Sequence, residues 1–192
     1  MRKPPPSISP PGECLDPGRL GTADSLGELY DRYAPLVERW ARRLAGPRFD
    51  AEDLLHDVFL VVLRRQPEFR GEARITTWLF RITAQVVRCR RRNDALRRLL
   101  WGQHGQALMD SRSIGPTPVE EIERREESLR LYAALDRLPE KYRTVLILFA
   151  LEESTGEQIA ALLGIDPNTV WVRLHRARAK LADLLTEGRP SP

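Results

Sequence analysis

The sequence predicts an all-α protein in which two small helical domains are joined by a flexible linker. Three observations indicate this. Apolar residues recur at intervals of three and four residues through 25–98 and 119–187, as they do along one side of a helix. Residues 25–98 contain no run of alternating apolar and polar residues, which would mark a half-buried strand. Residues 99–118 lose the helical period and gain Gly, Pro and Ser, which is typical of a linker.

The two ends of the chain lack helical patterns. Residues 1–24 are rich in Pro, Gly and Ser and have too few apolar residues to bury one side. We therefore expect them to form a disordered, solvated extension, with a partner-binding tail as the alternative. The tail over 188–192 is short and polar.

Three helices are predicted in the N-terminal domain. The first spans 25–45 and ends before a Gly-Pro pair, which breaks helices. The second spans 50–65, and the side chain of Asp50 can cap its first turn. A loop over 66–73, with one Pro and one Gly, separates it from a third helix over 75–98.

The outer side of the second helix is a first candidate surface. Asp53, Asp57 and Leu60 fall on one stripe, and His56 lies beside it. An exposed leucine between two carboxylates suggests a surface for a protein partner. The same stripe could be an ordinary acidic helix side on which Asp57 is simply solvated. The residues alone leave both interpretations open.

The third helix and the loop before it form a second candidate surface. The loop holds Phe69 and Arg70, and the outer side of the helix carries Thr77, Phe80, Arg81 and Arg88. Aromatic rings among cations are typical of surfaces that bind single-stranded nucleic acid. Phe80, which is flanked by arginines, could stack on a base in this way, or it could pack against another helix.

The C-terminal domain begins with a charged helix over 119–137 and a strongly apolar helix over 140–151. Two short helices around a tight turn follow within 155–185. Two helices joined by a turn of roughly three or four residues fit a helix-turn-helix, whose second helix enters the major groove of DNA. A helical hairpin with a solvated basic side is the competing interpretation.

Local signals fix the bounds of these two short helices. Ser154 and Thr155 both stand at capping-box spacing from a Glu or Gln, so either residue can begin the first helix. Gly164 can adopt the left-handed conformation that ends it. Asp166 can cap the second helix, and Pro167 suits its first position.

The second helix of the pair has two different sides. Val170, Leu174 and Ala177 share its apolar side. Val172 lies on the opposite side, where an apolar side chain can contact a thymine methyl group, and this favours DNA reading over a merely solvated side. The remaining polar and basic residues of that side and its flanks are Asn168, Thr169, Arg173, His175, Arg176 and Lys180.

The composition excludes several classes of protein. The net charge of +4 is too small to identify a nucleic-acid binder by itself. Cys14 and Cys89 are far apart and have no paired histidines nearby, so we expect neither a disulfide framework nor a metal site. No catalytic constellation or phosphate-binding loop occurs, so we expect no enzyme activity, no cofactor and no small-molecule substrate. The lack of a long apolar run and of a signal-peptide pattern predicts a cytoplasmic protein.

Four segments of the chain carry a resemblance to a known family. They are DAEDLLHDVFLVVLRR (50–65), FRGEARITTWLFRIT (69–83), LPEKYRTVLIL (138–148) and GEQIAALLGIDPNTVWVRLHRARAKL (156–181). In this order and at these distances they resemble regions 2.2, 2.3, 4.1 and 4.2 of a group 4, or extracytoplasmic function (ECF), sigma factor of the sigma-70 family.

This resemblance implies a protein that binds bacterial core RNA polymerase and directs promoter-specific initiation. By this resemblance, the stripe on the second helix binds the β′ clamp helices of the polymerase, and its residues are Asp53, His56, Asp57 and Leu60. The resemblance assigns the loop and the third helix to the melted −10 element: Phe69, Arg70, Thr77, Phe80, Arg81 and Arg88. It assigns the recognition helix to the −35 duplex: Asn168, Thr169, Trp171, Val172, Arg173, His175, Arg176 and Lys180. The implied partners are the β′ clamp helices, the β flap, promoter DNA and an anti-sigma factor.

The recognition helix departs from the family at two positions. Family members commonly have a basic residue and a serine where this chain has Trp171 and Val172, and Trp171 could pack against its own domain instead of reading a base. His175 is expected to contact DNA or, as the alternative, to act as a pH-sensitive switch.

Two other functions compete with this interpretation. A LuxR-like helix-turn-helix regulator would bind duplex DNA without joining the polymerase, but it would carry a ligand-binding or receiver domain with a sheet in place of 25–98. An enzyme that acts on nucleic acid would need a catalytic constellation, and the sequence offers none.

Overall fold

A computed structural model describes residues 26–71, 73–101 and 119–187. These residues contain seven α-helices, one short 3-10 helix and no strand, which confirms the predicted all-α class. The α-helices are α1 (Leu26–Ala45), α2 (Ala51–Arg65), α3 (Ile75–Trp101), α4 (Val119–Asp136), α5 (Glu140–Ala150), α6 (Gly156–Leu163) and α7 (Pro167–Glu187). The predicted N-terminal extension, the linker after Trp101 and the tail lie outside the described residues.

Helices α1, α2 and α3 pack against one another and enclose the first part of the core. Val37, Val58 and Val62 are fully buried where α1 and α2 meet. The predicted cap of α2 is present, since the Asp50 carboxylate accepts hydrogen bonds from the backbone N–H groups of Glu52 and Asp53 at 2.8 and 3.2 Å. The third helix is longer than predicted, because it continues to Trp101.

Helix α5 is the centre of the C-terminal group of helices. It packs against α6 and α7, and every residue from Tyr142 to Leu148 is buried. Helix α7 also contacts α4, and its apolar side closes the core through Val170, Leu174 and Ala177, as predicted.

The backbone of α6 and α7 confirms the predicted helix-turn-helix. Thr155 forms the capping box: its hydroxyl accepts from the Gln158 N–H at 3.3 Å, and its own N–H donates to the Gln158 side chain at 2.8 Å. Gly164 ends α6 with a left-handed φ of 65°. The Asp166 carboxylate then accepts from the Asn168 N–H at 2.8 Å and caps α7.

The two groups of helices also touch each other. Helix α3 lies against α6, and α1 lies against α5. As a result, the buried apolar side chains of both groups join into one cluster.

We expect Thr155→Ala to lower the free energy of unfolding by about 1 kcal/mol, because it removes the side-chain half of the capping box. Ser154→Ala is the matched control and should change it by less than about 0.5 kcal/mol. Denaturant unfolding of the full chain measures both. Equal effects of the two substitutions would contradict the assignment of the cap to Thr155.

Candidate polymerase and nucleic-acid interfaces

The predicted partner surface on α2 is exposed. Asp53, His56 and Leu60 all face solvent, and Leu60 is 42% exposed. Asp57 is half-buried, because its carboxylate forms an ion pair with the Arg90 guanidinium of α3 at 2.5 Å. The interpretation in which Asp57 is simply solvated is therefore wrong. Its carboxylate ties α2 to α3.

The exposed side of α2 is more apolar than the sequence suggested. Leu63 is 50% exposed, one turn beyond Leu60. Tyr30 of α1 is 44% exposed and packs its ring edge-on against Phe59, with centroids 4.8 Å apart. Single exposed apolar residues are common. Here three of them lie on one pair of packed helices beside exposed Asp53 and His56, which suits a protein partner.

The loop before α3 presents a half-buried aromatic pair. The ring of Phe69 packs against the ring of Trp78 with centroids 4.9 Å apart. Arg70 is exposed beside it. Gly71 follows with a φ of 72°, and among the described residues, its chain neighbours aside, no atom lies within 4 Å of the place where a Cβ would stand. The loop is therefore open to solvent on the side where its backbone turns.

Two of the residues predicted to contact single-stranded DNA are buried. Phe80 is 1% exposed, and its ring packs edge-on against Trp40 of α1 with centroids 5.2 Å apart. Thr77 is 8% exposed. Both assignments are wrong as surface contacts. The physical reason is that α3 packs against α1, α2 and α6, so its buried arc is wider than one apolar stripe. Arg81 and Arg88 remain exposed.

Helix α7 presents a mixed polar, basic and apolar side to solvent. Opposite the buried stripe, most predicted DNA-reading residues are exposed, and two are half-buried. The exposed ones are Asn168, Trp171, Val172, His175, Arg176 and Lys180, and the half-buried ones are Thr169 and Arg173. The exposed side of α7 therefore presents hydrogen-bonding groups, an apolar side chain and cations to whatever binds along this helix.

Trp171 lies across the helix-turn-helix. Its ring meets Phe149 of α5 at a centroid distance of 5.8 Å, and it covers Gly156, where a Cβ would stand 2.9 Å from the indole. The absence of a side chain at Gly156 thus allows Trp171 to pack there. Since Trp171 is still 47% exposed, it has one side on the domain and one side in solvent. Sequence reasoning did not identify Gly156 or Phe149 as its partners.

Two cations of α7 lie near aromatic residues of α5. A hydrogen bond from Arg176 lowers the pKa of the Tyr142 hydroxyl, and the nearby positive charges of Lys141 and Lys180 lower it further. Arg178 stands over the ring of Phe149 at 5.1 Å. These neighbours come from two different helices, so the periodicity along one helix could not reveal them.

Among the described residues, no group of His, Cys, Asp and Glu side chains is placed to hold a metal ion. No helix in the same part of the chain is long and apolar enough to span a membrane.

Comparison with known proteins identifies the family. The family model for sigma-70 region 2 matches residues 29–97, and that for sigma-70 region 4 matches residues 128–181. The RNA polymerase sigma factor CarQ of Myxococcus xanthus is 34% identical over 172 residues, which cover 88% of this chain and 94% of CarQ. The chain belongs to the sigma-70 family of RNA polymerase sigma factors.

Further relatives place this sigma factor in the ECF group. The ECF RNA polymerase sigma factor SigE of Mycolicibacterium smegmatis is 31% identical over 186 residues, covering 95% of this chain and 70% of SigE. Among solved structures, CnrH in complex with the cytosolic domain of CnrY superposes with a TM-score of 0.54 at 26% identity, covering 85% of this chain and 89% of CnrH. The resemblance drawn from the four sequence segments is thereby confirmed.

The two family regions coincide with the two groups of helices in this sigma factor. Region 2 covers α2 and most of α1 and α3, and region 4 runs from the second half of α4 through most of α7. The exposed stripe of α2 lies in region 2, and the helix-turn-helix lies in region 4.

We expect Phe80→Ala to lower the free energy of unfolding by about 3–5 kcal/mol, since it would leave a cavity beside Trp40. Arg88→Ala, on the exposed side of the same helix, should change it by less than about 0.5 kcal/mol. Denaturant unfolding compares the two variants. An unchanged midpoint for Phe80→Ala would show that the ring is not part of the core.

Proposed function

We propose that this sigma factor joins core RNA polymerase through α2 and holds promoter DNA at two separate points. The C-terminal domain, over 119–187, reads the −35 element as duplex. The N-terminal domain, over 25–98, captures the melted −10 element. The main support for this proposal is that two exposed surfaces of different chemistry lie on separate helices. The surface on α2 is acidic and apolar, and the surface on α7 is basic.

The polymerase surface on α2 suits a helical partner. Leu60 and Leu63 offer apolar contacts next to the exposed carboxylate of Asp53 and the imidazole of His56. An apolar centre with charged neighbours is the common pattern of a protein interface. We assign this surface to the β′ clamp helices and leave Asp57, which is paired with Arg90, at its edge. We assign the β flap to the C-terminal domain.

The −35 surface follows from the order of residues along α7. Asn168 and Thr169 lie in its first turn, where the recognition helix of a helix-turn-helix reaches base edges. Val172 can contact a thymine methyl group, and the exposed side of Trp171 lies next to it. His175 and the cations Arg173, Arg176 and Lys180 continue along the helix toward the phosphates.

The −10 surface combines the loop before α3 with the arginines of that helix. The Phe69 and Trp78 rings provide an aromatic edge, and Arg70, Arg81 and Arg88 provide exposed guanidinium groups. Stacking of one base on an aromatic side chain is worth about 1–3 kcal/mol, which offsets the stacking lost on melting. Binding of this kind favours the open promoter without any chemical step by the sigma factor, so we propose that it is not an enzyme.

We further propose that a protein regulator controls this sigma factor in the cytoplasm, where polymerase and chromosome meet. The solved relative CnrH is complexed with the cytosolic domain of CnrY, and we expect an anti-sigma factor to bind here too. A LuxR-like regulator is not supported, because α1, α2 and α3 lie where sigma-70 region 2 matches, in place of a ligand-binding or receiver domain.

Reconstitution with core RNA polymerase tests the proposal. The full chain should co-elute with core enzyme at moderate salt, and the holoenzyme should select promoter fragments from a random DNA library. Failure to co-elute would refute the proposed function. The selected promoter also supplies the DNA for the measurements below.

We expect Leu60→Asp to weaken association with core polymerase by roughly tenfold or more, because it places a charge in the apolar centre of the interface. Leu96→Asp is the matched control, since Leu96 is similarly exposed on α3 at 49%. Fluorescence anisotropy of the labelled sigma factor with core enzyme measures both affinities. Equal losses for the two variants would refute the assignment of the α2 surface.

We expect Arg176→Ala to lower the affinity of the holoenzyme for the selected promoter. If the guanidinium contacts one phosphate, the slope of log affinity against log salt concentration should also become smaller by about 0.9. Arg130→Ala, an exposed arginine of α4 paired with Glu126, should leave both quantities unchanged. Titrations at several salt concentrations measure them. An Arg176→Ala isotherm identical to wild type at every salt concentration would rule out the contact.

A further inference from the structure

The exposed side of α7 is interrupted by two apolar side chains. Trp171 and Val172 each lie about one turn after Asn168 and one turn before His175, so the four positions share this side of the helix. Trp171 is 47% exposed and Val172 is 49% exposed. Both polar neighbours are exposed as well. The indole and the isopropyl group therefore border one small apolar patch, the Trp171–Val172 patch, between polar side chains.

The indole of Trp171 is packed on one side against its own domain. Its ring meets the ring of Phe149 edge-on, with centroids 5.8 Å apart and planes at 71°. An added Cβ on Gly156 would stand only 2.9 Å from the indole. The guanidinium of Arg178, about two turns further along α7, stands over the same Phe149 ring at 5.1 Å. The indole thus has a fixed place, and its remaining surface faces solvent beside Val172.

An apolar patch of this kind is selective in the major groove. Every base edge there presents hydrogen-bonding groups, and among the four bases of DNA thymine alone adds a methyl group. A donor or acceptor pressed against apolar carbon loses its water without gaining a hydrogen bond, which is unfavourable. A methyl group in the same place removes apolar surface from water, which is favourable. The Trp171–Val172 patch therefore favours thymine at the position that it faces.

The packing beneath the indole adds to this selectivity. A tryptophan that is free to rotate loses conformational freedom on binding and can turn away from an unsuitable base. Here the ring of Phe149 and the missing side chain at Gly156 fix where the indole stands. The patch has its shape before DNA arrives, so a base without a methyl group leaves a gap or an unpaired polar group against it.

We propose that Trp171 and Val172 select one thymine of the −35 element through its methyl group, and that Phe149 and Gly156 are positioning residues for this selection. Gly156 is buried and Phe149 is half-buried, so both act through the indole and not on a base. This selection rests on the proposed reading of the −35 duplex by α7. It specifies the group on the DNA that is read and the residues of α5 and α6 that place the reading side chain.

Uracil substitution in the selected promoter tests the contact without any change in the protein. Uracil pairs as thymine does and lacks only the 5-methyl group. The thymines of the −35 region, on both strands, are replaced one at a time, and the affinity of the holoenzyme is measured for each fragment. We expect one position at which uracil weakens binding about fourfold, as burial of one methyl group predicts.

Uracil in the spacer between the two promoter elements is the matched control and should leave the affinity unchanged. Equal affinity for every −35 fragment would overturn the proposal. A selected −35 region that contains no A·T pair would overturn it as well.

Val172→Ser tests the reading residue at the sensitive thymine. It should reduce the ratio of the thymine to the uracil affinity from about four to about one, because the hydroxyl replaces the apolar contact. Leu185→Ser is the matched control, since Leu185 is 47% exposed near the other end of the same helix, and it should keep the full ratio. An undiminished ratio in the Val172→Ser holoenzyme would overturn the assignment of the methyl contact.

Gly156→Ala tests the positioning role. The added methyl group would stand 2.9 Å from the indole, so Trp171 must move, whereas the capping box of Thr155 and Gln158 stays in place. We expect the ratio to fall below about two, with the affinity for the uracil fragment unchanged. A merely structural role for Gly156 would lower both affinities equally and keep the ratio, and that result would overturn the positioning role. If circular dichroism shows that Gly156→Ala unfolds, Phe149→Leu replaces it with the same expectation.

The methyl contact and the proposed function fail in different ways. A holoenzyme that selects a promoter and binds its thymine and uracil fragments equally would overturn the methyl contact and leave the proposed function standing. A chain that does not join core polymerase would refute the proposed function, and the −35 contact with it, before any fragment is compared.

Discussion

The burial of seven consecutive residues in the middle of α5 is the constraint on which the rest of the structure depends. Its residues from Tyr142 to Leu148 have no exposed side, so apolar neighbours must surround the helix. Helices α6 and α7 cover part of it, and α1 of the other domain covers another part. Burying Arg143 within that helix requires partners, which are Asp136 and the carbonyl of Leu44. The same helix therefore supports the DNA-reading unit and draws the two domains together.

The position of the recognition helix follows from that support. Phe149 lies at the end of α5, and the guanidinium of Arg178 of α7 stands over its ring at 5.1 Å. Trp171 completes the contact by packing on Phe149 and Gly156. This packing supplies a physical reason for a tryptophan at position 171. The side chain fastens α7 to the start of α6 and leaves Val172 exposed to solvent.

Much of this fold could be predicted from the sequence, because its signals are local. Asp50 and Thr155 act through neighbours within three residues, and Gly164 acts through its own backbone conformation. The predicted roles of Asp50 and Gly164 are confirmed, and the structure selects Thr155 from the two candidate caps. Phe80 shows where such reasoning ends. A helical wheel shows one apolar stripe, whereas α3 is covered from several directions, and only the tertiary contacts reveal that Phe80 meets Trp40. Gly156 under Trp171 and Glu152 between Arg39 and Arg43 are likewise pairs that no local period can predict.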